Sequence, residues 1–484
     1  MHAARLTPYL LALVAAAASA QTLSPEVRKF VVHDEALIAL THVRVIDGTG
    51  AAPLEDRTLV LRGGKIETVT AGAPPTGATV LDGTGRSVIP GLVGMHNHLF
   101  YTAAINPDEN GKLQSPGLLV TEVAFAAPRM YLGSGVTSMR TAGSIEPYTD
   151  LNVREQINTG KMPGPKLDVT GPYLQGPGSV FAQMRGLTTP EEARKTVDFW
   201  VSEGVTSFKA YMDIKAEVLG AAIAEAHKHG LKVTGHLCSV SYREAIALGI
   251  DNLEHGPLYT DSEFVEQRNG RCPGYGAIEK SWAGLPMDGP KVQGLIDDLI
   301  KHKVAITSTL PVFEASIATR PLLSPKQQQM LTSDALRNHL KLRAQAGGSP
   351  ERARAAEALL KQEMAFERAF VAAGGLLMAG PDPTGNGGTL PGFADQRGVE
   401  LLVEAGFTPV QAIQIATSNG ARYLGQFDKI GSIAAGKQAD LVLLKGDPSQ
   451  RIQDIENVEL VFKDGVAYDP TKLINEARGW LGLQ

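Results

Sequence analysis

The sequence predicts an α/β protein: a (β/α)8 TIM barrel with a small flanking β-sandwich domain built from both chain ends. Three observations carry that expectation. Eight short apolar runs alternate with helical stretches through the middle of the chain. Several of those runs end in a histidine, a lysine or an aspartate. Both ends of the chain read as short strands joined by tight turns.

Residues 1–20 read as a signal peptide. Arg5 gives a positive start, Tyr9 to Ala17 form an apolar core, and Ala18-Ser19-Ala20 fits the small-residue cleavage pattern. The apolar run is short for a membrane-spanning helix, and no later stretch looks suited to span a bilayer. The mature chain is expected to begin at Gln21 and to be periplasmic or secreted.

Residues 21–90 are expected to give the first part of the β-sandwich. Arg57 to Ile66 contains a Gly63-Gly64 turn between alternating runs, a hairpin signal. Residues 425–484 have the same texture, with strands at Ala439–Leu444 and around an Asp464-Gly465 turn. Small sheets need a partner for their apolar face, so the two ends are expected to pack together.

Residues 91–424 form the expected barrel. Its strand candidates are Val93–His98, Val136–Thr141, Lys166–Gly171, Val205–Ala210, Leu231–His236, Ile250–His255, Val304–Ser308 and Gly375–Asp382. Helical stretches intervene, such as Thr189–Glu203, capped by Thr188 or Thr189, and Ala216–His229. An open doubly wound sheet is the alternative, but no glycine-rich phosphate fingerprint follows a strand. Long connections at 99–128, 256–292 and 311–373 are expected to shape a site at the carboxyl ends of the strands.

The chain has 484 residues, 43% hydrophobic and 20% charged, with a net charge of −5. No basic surface is advertised, which argues against nucleic acid or an anionic membrane as a partner. Cys238 and Cys272 are the two cysteines. They are too few for a disulfide framework, and a buried free thiol is the simpler expectation.

The chemistry centres on Val88 to His98, an apolar run closing on His96-Asn97-His98. In a strand, residues two apart point the same way, so His96 and His98 would project together and grip one divalent metal. Lys209, His236, His255 and Asp382 stand at or near the ends of four further runs. In a parallel barrel all of these ends open onto one face.

This ordered pattern resembles the amidohydrolase superfamily, specifically its imidazolonepropionase-like and prolidase-like metal-dependent hydrolases. Val88–His98, Gly406–Gly425 and Gly431–Val442 carry the resemblance over nearly the whole mature chain. It implies two divalent metal ions, zinc by first choice. His96 and His98 match ligands of the first, and His236 and His255 match ligands of the second. Lys209 matches a bridging lysine carried as its carbamate, N6-carboxylysine. A plain ammonium has only donors and cannot ligate a metal. Asp382 matches the aspartate that both ligates metal and moves protons.

The implied reaction is attack of a metal-bridging hydroxide on an amide of a dipeptide or N-acyl amino acid. The same centre would suit cyclic amides, lactones, carbamates or phosphotriesters, and a non-catalytic metal-binding scaffold is the reading from another class. Arg140, at the second strand's end, is a candidate for holding a substrate carboxylate. Tyr211 is a candidate donor to the developing oxyanion. Many relatives carry a histidine-glycine pair where this chain reads Gln396-Arg397-Gly398. A homo-oligomer is expected, as such barrels often assemble.

Overall fold

Eight short parallel strands run through the centre of the molecule, each followed by helices or long loops, in an α/β fold of TIM-barrel type. The computed structural model describes residues 22–109, 113–179, 181–266, 270–346, 349–384 and 388–483. The expected signal peptide lies outside the described residues.

The strands are Leu92–Gly94, Val136–Arg140, Lys166–Asp168, Ser207–Ala210, Lys232–Gly235, Asn252–Glu254, Ala305–Ser308 and Leu377–Ala379. The first three form one parallel sheet and the last five another. Backbone hydrogen bonds bridge both gaps. Gly171 N donates to Ser207 O and Leu174 N to Lys209 O, each at 2.9 Å. At the other gap Met95 N donates to Ala379 O at 2.9 Å, and Asp382 N to His96 O at 3.0 Å.

These strands read as near-continuous apolar runs because helices cover them on the outside. Phe208, Leu253, Ile306 and Leu377 are buried in the main core, each such side chain contributing roughly 1.5–3 kcal/mol on burial. Helix Pro190–Ser202 starts where its sequence says it should. Thr189 accepts from Glu192 N, and Glu192 reaches back to the Thr189 N–H, closing a capping box. Helix Ala216–Lys228 follows the fourth strand and packs against it.

The expected strand through His98 is shorter than its apolar pattern suggests. It ends at Gly94, and His96 and His98 lie in the turn beyond it. The cause is local: the Met95 N–H is taken by Ala379 and the Asn97 N–H by Arg140 O, so the chain splays between its two neighbours.

Strands from both chain ends share one nine-stranded sheet. Arg86–Pro90 pairs antiparallel with Leu441–Lys445, which joins residues more than 350 apart in sequence. Gly63-Gly64 makes the two-residue turn between Leu54–Arg62 and Lys65–Thr70, both glycines at positive φ (56° and 81°). The Asp464-Gly465 turn does the same between Val458–Lys463 and Val466–Tyr468.

The long connections gather at the carboxyl ends of the parallel strands. An antiparallel hairpin, Phe100–Pro107 with Leu113–Glu122, follows His98, and Thr102 N donates to Thr384 O at 2.9 Å. Cys238 and Cys272 form a disulfide, with Cα atoms 4.8 Å apart. This corrects the expectation of a free thiol: the loop after the sixth strand folds back over the end of the fifth. Among the described residues, no helix is long and apolar enough to cross a membrane.

Candidate active site

Six side chains from five strand ends meet at one rim. Lys209 projects from within the fourth strand, and His236 and His255 come one residue after the fifth and sixth. Asp382 comes three residues after the eighth. His255 and Asp382 sit at positive φ, 73° and 54°. Non-glycine residues adopt that conformation at a cost of about 1–3 kcal/mol each, and here it turns both side chains inward.

The imidazoles form a compact cluster. Ring centroids are 5.2 Å apart for His96 and His98, 4.6 Å for His96 and His255, and 4.4 Å for His236 and His255. Asp382 Oδ1 lies 3.1 Å from His98 Nε2 and 3.4 Å from His96 Nε2. Lys209 Nζ lies 2.8 Å from His96 Nε2. His96, His98 and Asp382 present ligand atoms close enough together to hold one metal ion.

Burial sets the protonation. Desolvation pulls His98 down to about 4 and His236 to about 3, and it holds His255 well below its usual value. The three rings are therefore neutral near pH 7, as metal ligation requires. Lys209 falls to about 8 for the same reason. Burial would raise the Asp382 pKa, but His96 and His98 outweigh it and hold the carboxyl well below the ordinary carboxylate range.

The donor set fits a divalent ion. His255 Nε2 is buried without a hydrogen-bond partner. An orphaned ring nitrogen is costly unless something ligates it. His255 Nδ1 is meanwhile 2.7 Å from Thr309 Oγ1, which leaves Nε2 as the nitrogen open to a ligand. Histidine nitrogens with carboxylate oxygens suit zinc and its neighbours.

The structure puts Arg140 elsewhere than expected. It is buried beneath the cluster, where its Nη2 donates to Glu254 Oε1 at 2.6 Å and to Asn252 Oδ1 at 2.9 Å, and its Nε to Met95 O at 2.8 Å. Its carboxylate partner is thus internal, and the guanidinium does not reach the cavity. The long-range pairing with Glu254 is what a strand-end position alone does not reveal. Tyr211 does line the cavity, its ring 4.8 Å from His236 and 5.0 Å from Tyr173. Gln396 donates to Ser134 O and Ile455 O, and Arg397 pairs with Glu314 and Glu400, so neither joins the cluster.

A family model for the amidohydrolase family matches residues 87–467. The chain belongs to that family. This amidohydrolase is 23% identical over 398 residues to the imidazolonepropionase of Deinococcus radiodurans, covering 81% of this chain and 86% of that one. It is 39% identical over 88 residues to adenine deaminase 2 of Jannaschia sp. (strain CCS1), but spans only 14% of that protein's length. A candidate prolidase from Bifidobacterium longum shares the fold at TM-score 0.64 and 25% identity, over 91% of this chain and 98% of that one. The amidohydrolase is a hydrolase of carbon–nitrogen bonds.

Its cavity, about 140 Å³, opens over Lys209, His236, His255 and Asp382 and is walled by Phe100, Tyr173, Phe181, Tyr211, Tyr275 and Phe313. Two residues were not legible as site residues. Glu254 stands one place before His255, and its position in the strand gave no sign that it would reach His96. Tyr275 lies in a long connection, where the only available signal was the pair of cysteines that ties it down.

Proposed function

We propose that this amidohydrolase is exported to the periplasm or secreted and uses a binuclear metal centre to cleave the amide of a dipeptide or N-acyl amino acid. The observation that carries the reading is the convergence of four imidazoles, Lys209 and Asp382 at one rim. The likeness to a candidate prolidase supports the substrate class. The eight strands are read as one closed (β/α)8 barrel, residues 91–424, with the terminal sheet of 21–90 and 425–484 folded as a flanking sandwich.

His96, His98 and Asp382 would hold the first ion, His236 and His255 the second, and Lys209, as its carbamate, would serve both. Such ions make water a nucleophile near neutral pH and polarise a carbonyl. The Lys209 ammonium, 2.8 Å from His96 Nε2, would repel a cation, and carboxylation would replace that charge with two acceptor oxygens. Asp382 accepts the proton of the attacking water and returns it to the amide nitrogen as the carbon–nitrogen bond breaks. The products are a carboxylic acid and an amine. The aromatic walls exclude bulk water and hold the substrate's apolar flanks.

The test is metal quantitation on the purified protein together with a hydrolysis panel. Its arms are dipeptides, N-acyl amino acids, cyclic amides, lactones, carbamates and phosphotriesters. Two ions per chain with fastest turnover of a linear amide is the expected result. Two ions with no turnover of any arm would make the protein a metal-binding scaffold.

A further inference from the structure

We propose that Tyr275 is a catalytic residue of this site, donating its hydroxyl to the carbonyl oxygen of the amide, and that the Cys238–Cys272 disulfide positions it there. The proposal rests on the amide-hydrolase reading above.

The hydroxyl of Tyr275 lies 3.2 Å from His236 Nε2 and 3.5 Å from Met212 Sδ. The residue is 44% exposed overall, yet its polar end is turned inward, at a ring expected to ligate metal. A carbonyl bound over the cluster comes within reach of that hydroxyl. Tyr211, the donor expected from sequence, packs edge-on against Tyr173 and beside His236 as part of the wall.

Tyr275 opens the helix Tyr275–Trp282, and both ends of that helix are fixed. At its far end Trp282 is buried, donates from Nε1 to Asp261 O at 3.2 Å, and accepts at its carbonyl from Gln362 Nε2 at 2.8 Å. At its near end Cys272 stands three residues before Tyr275, and its disulfide partner Cys238 stands two residues after His236. The disulfide therefore links the loop carrying the donor to the strand end carrying the ligand. Between Cys272 and the helix, Gly274 takes φ 87°, which lets the chain turn sharply into the site. A donor must be held within a fraction of an ångström to act in the transition state. A long surface connection rarely offers that without a tether.

The experiment is a double-mutant cycle on the metal-loaded enzyme, with the amide that the panel shows to be turned over best. Tyr275→Phe, the pair Cys238→Ser with Cys272→Ser, and the triple variant are compared with wild type for kcat, KM and bound metal. Tyr275→Phe is expected to lower kcat by about 10²-fold with KM and metal content unchanged, the loss typical of one oxyanion donor. In the background without the disulfide the same substitution should cost only a few-fold, because the hydroxyl is no longer held in place. A Tyr275→Phe enzyme with full metal and wild-type kcat would overturn the catalytic assignment. An equal penalty in both backgrounds would overturn the role given to the disulfide. Should the serine pair fail to fold, reduction of folded wild type and of Tyr275→Phe by a phosphine gives the same comparison. If wild type hydrolyses no amide at all, the reaction assignment itself fails, and the proposal with it, before any variant is made.

Discussion

Glu254 Oε2 lies 2.7 Å from His96 Nδ1, and both side chains are wholly buried. That contact fixes the orientation of the ring and turns Nε2 toward Lys209 and Asp382. Burial works to raise the Glu254 pKa, but Arg140 and His96 outweigh it and hold the carboxylate ionised. Carboxylate partners of this kind raise the basicity of a ligating histidine and set its tautomer. Glu254→Gln keeps the volume and removes the charge. It is expected to weaken metal binding by about 10–100-fold, read by competition with a chelator of known affinity. Unchanged affinity would mean that His96 is held by its packing alone.

Gly380 is the point where the eighth strand's end passes the first. A Cβ at this position would stand 2.2 Å from His96 N and 2.5 Å from His96 Cβ. Backbone cannot yield as a flexible side chain can, so Gly380→Ala must push the two strand ends apart. The Asp382 N–H bond to His96 O at 3.0 Å lies within this contact. The variant is expected to fold with a lower Tm and to lose metal. A Gly380→Ala protein with full metal content and wild-type Tm would show that the close approach is not required.

Much of this site was readable from residue order. His96, His98, Lys209, His236, His255 and Asp382 close apolar runs, and parallel strands carry such ends to one rim wherever the strands lie in sequence. The hairpin turns were readable too, because Gly63-Gly64 and Asp464-Gly465 have the φ freedom those turns demand. Contacts set by the third dimension were not. Arg140 looked like a substrate-binding cation because nothing in its own segment announces Glu254, 114 residues away. Cys238 and Cys272 looked unpaired because their meeting depends on the path of a long connection. The strand through His98 looked continuous because alternation cannot report that its neighbours claim the Met95 and Asn97 N–H groups.

Asp382 is the one cluster residue cast both as ligand and as proton carrier. His96 and His98 hold its carboxyl ionised, so it can accept a proton throughout the neutral range. Asp382→Asn leaves an acceptor oxygen near His98 but no base. The expected loss in kcat is about 10²–10⁴-fold, with metal content measured in the same sample. A fully metallated Asp382→Asn enzyme with near-wild-type turnover would remove the aspartate from the reaction.

A buried acidic pair outside the cluster bears on stability, not chemistry. Glu363 and Glu367 are both wholly buried on helix Pro350–Ala372. Burial pushes Glu367 up to about 8, and burial with its neighbour Glu367 holds Glu363 well above the carboxylate range. Glu363 also accepts from Leu258 N at 3.1 Å, which gives it a structural task. Glu367 has both carboxyl oxygens buried, with Ser308 beside it. The sign of the pH effect follows from linkage. The folded state keeps a proton on Glu367 that the unfolded chain releases above its ordinary pKa of about 4.3. The protonated group's contribution is complete below that value and is lost as pH rises toward 8. Glu367→Gln imitates the protonated acid and does not titrate. Its Tm should match wild type near pH 4, where both are neutral, and exceed it increasingly from pH 5 to pH 8. Calorimetry of both proteins across that range, with metal removed to isolate the pair, reads the difference directly. Parallel Tm curves would mean that Glu367 finds a cationic or hydrogen-bonding partner that keeps it ionised in the folded protein.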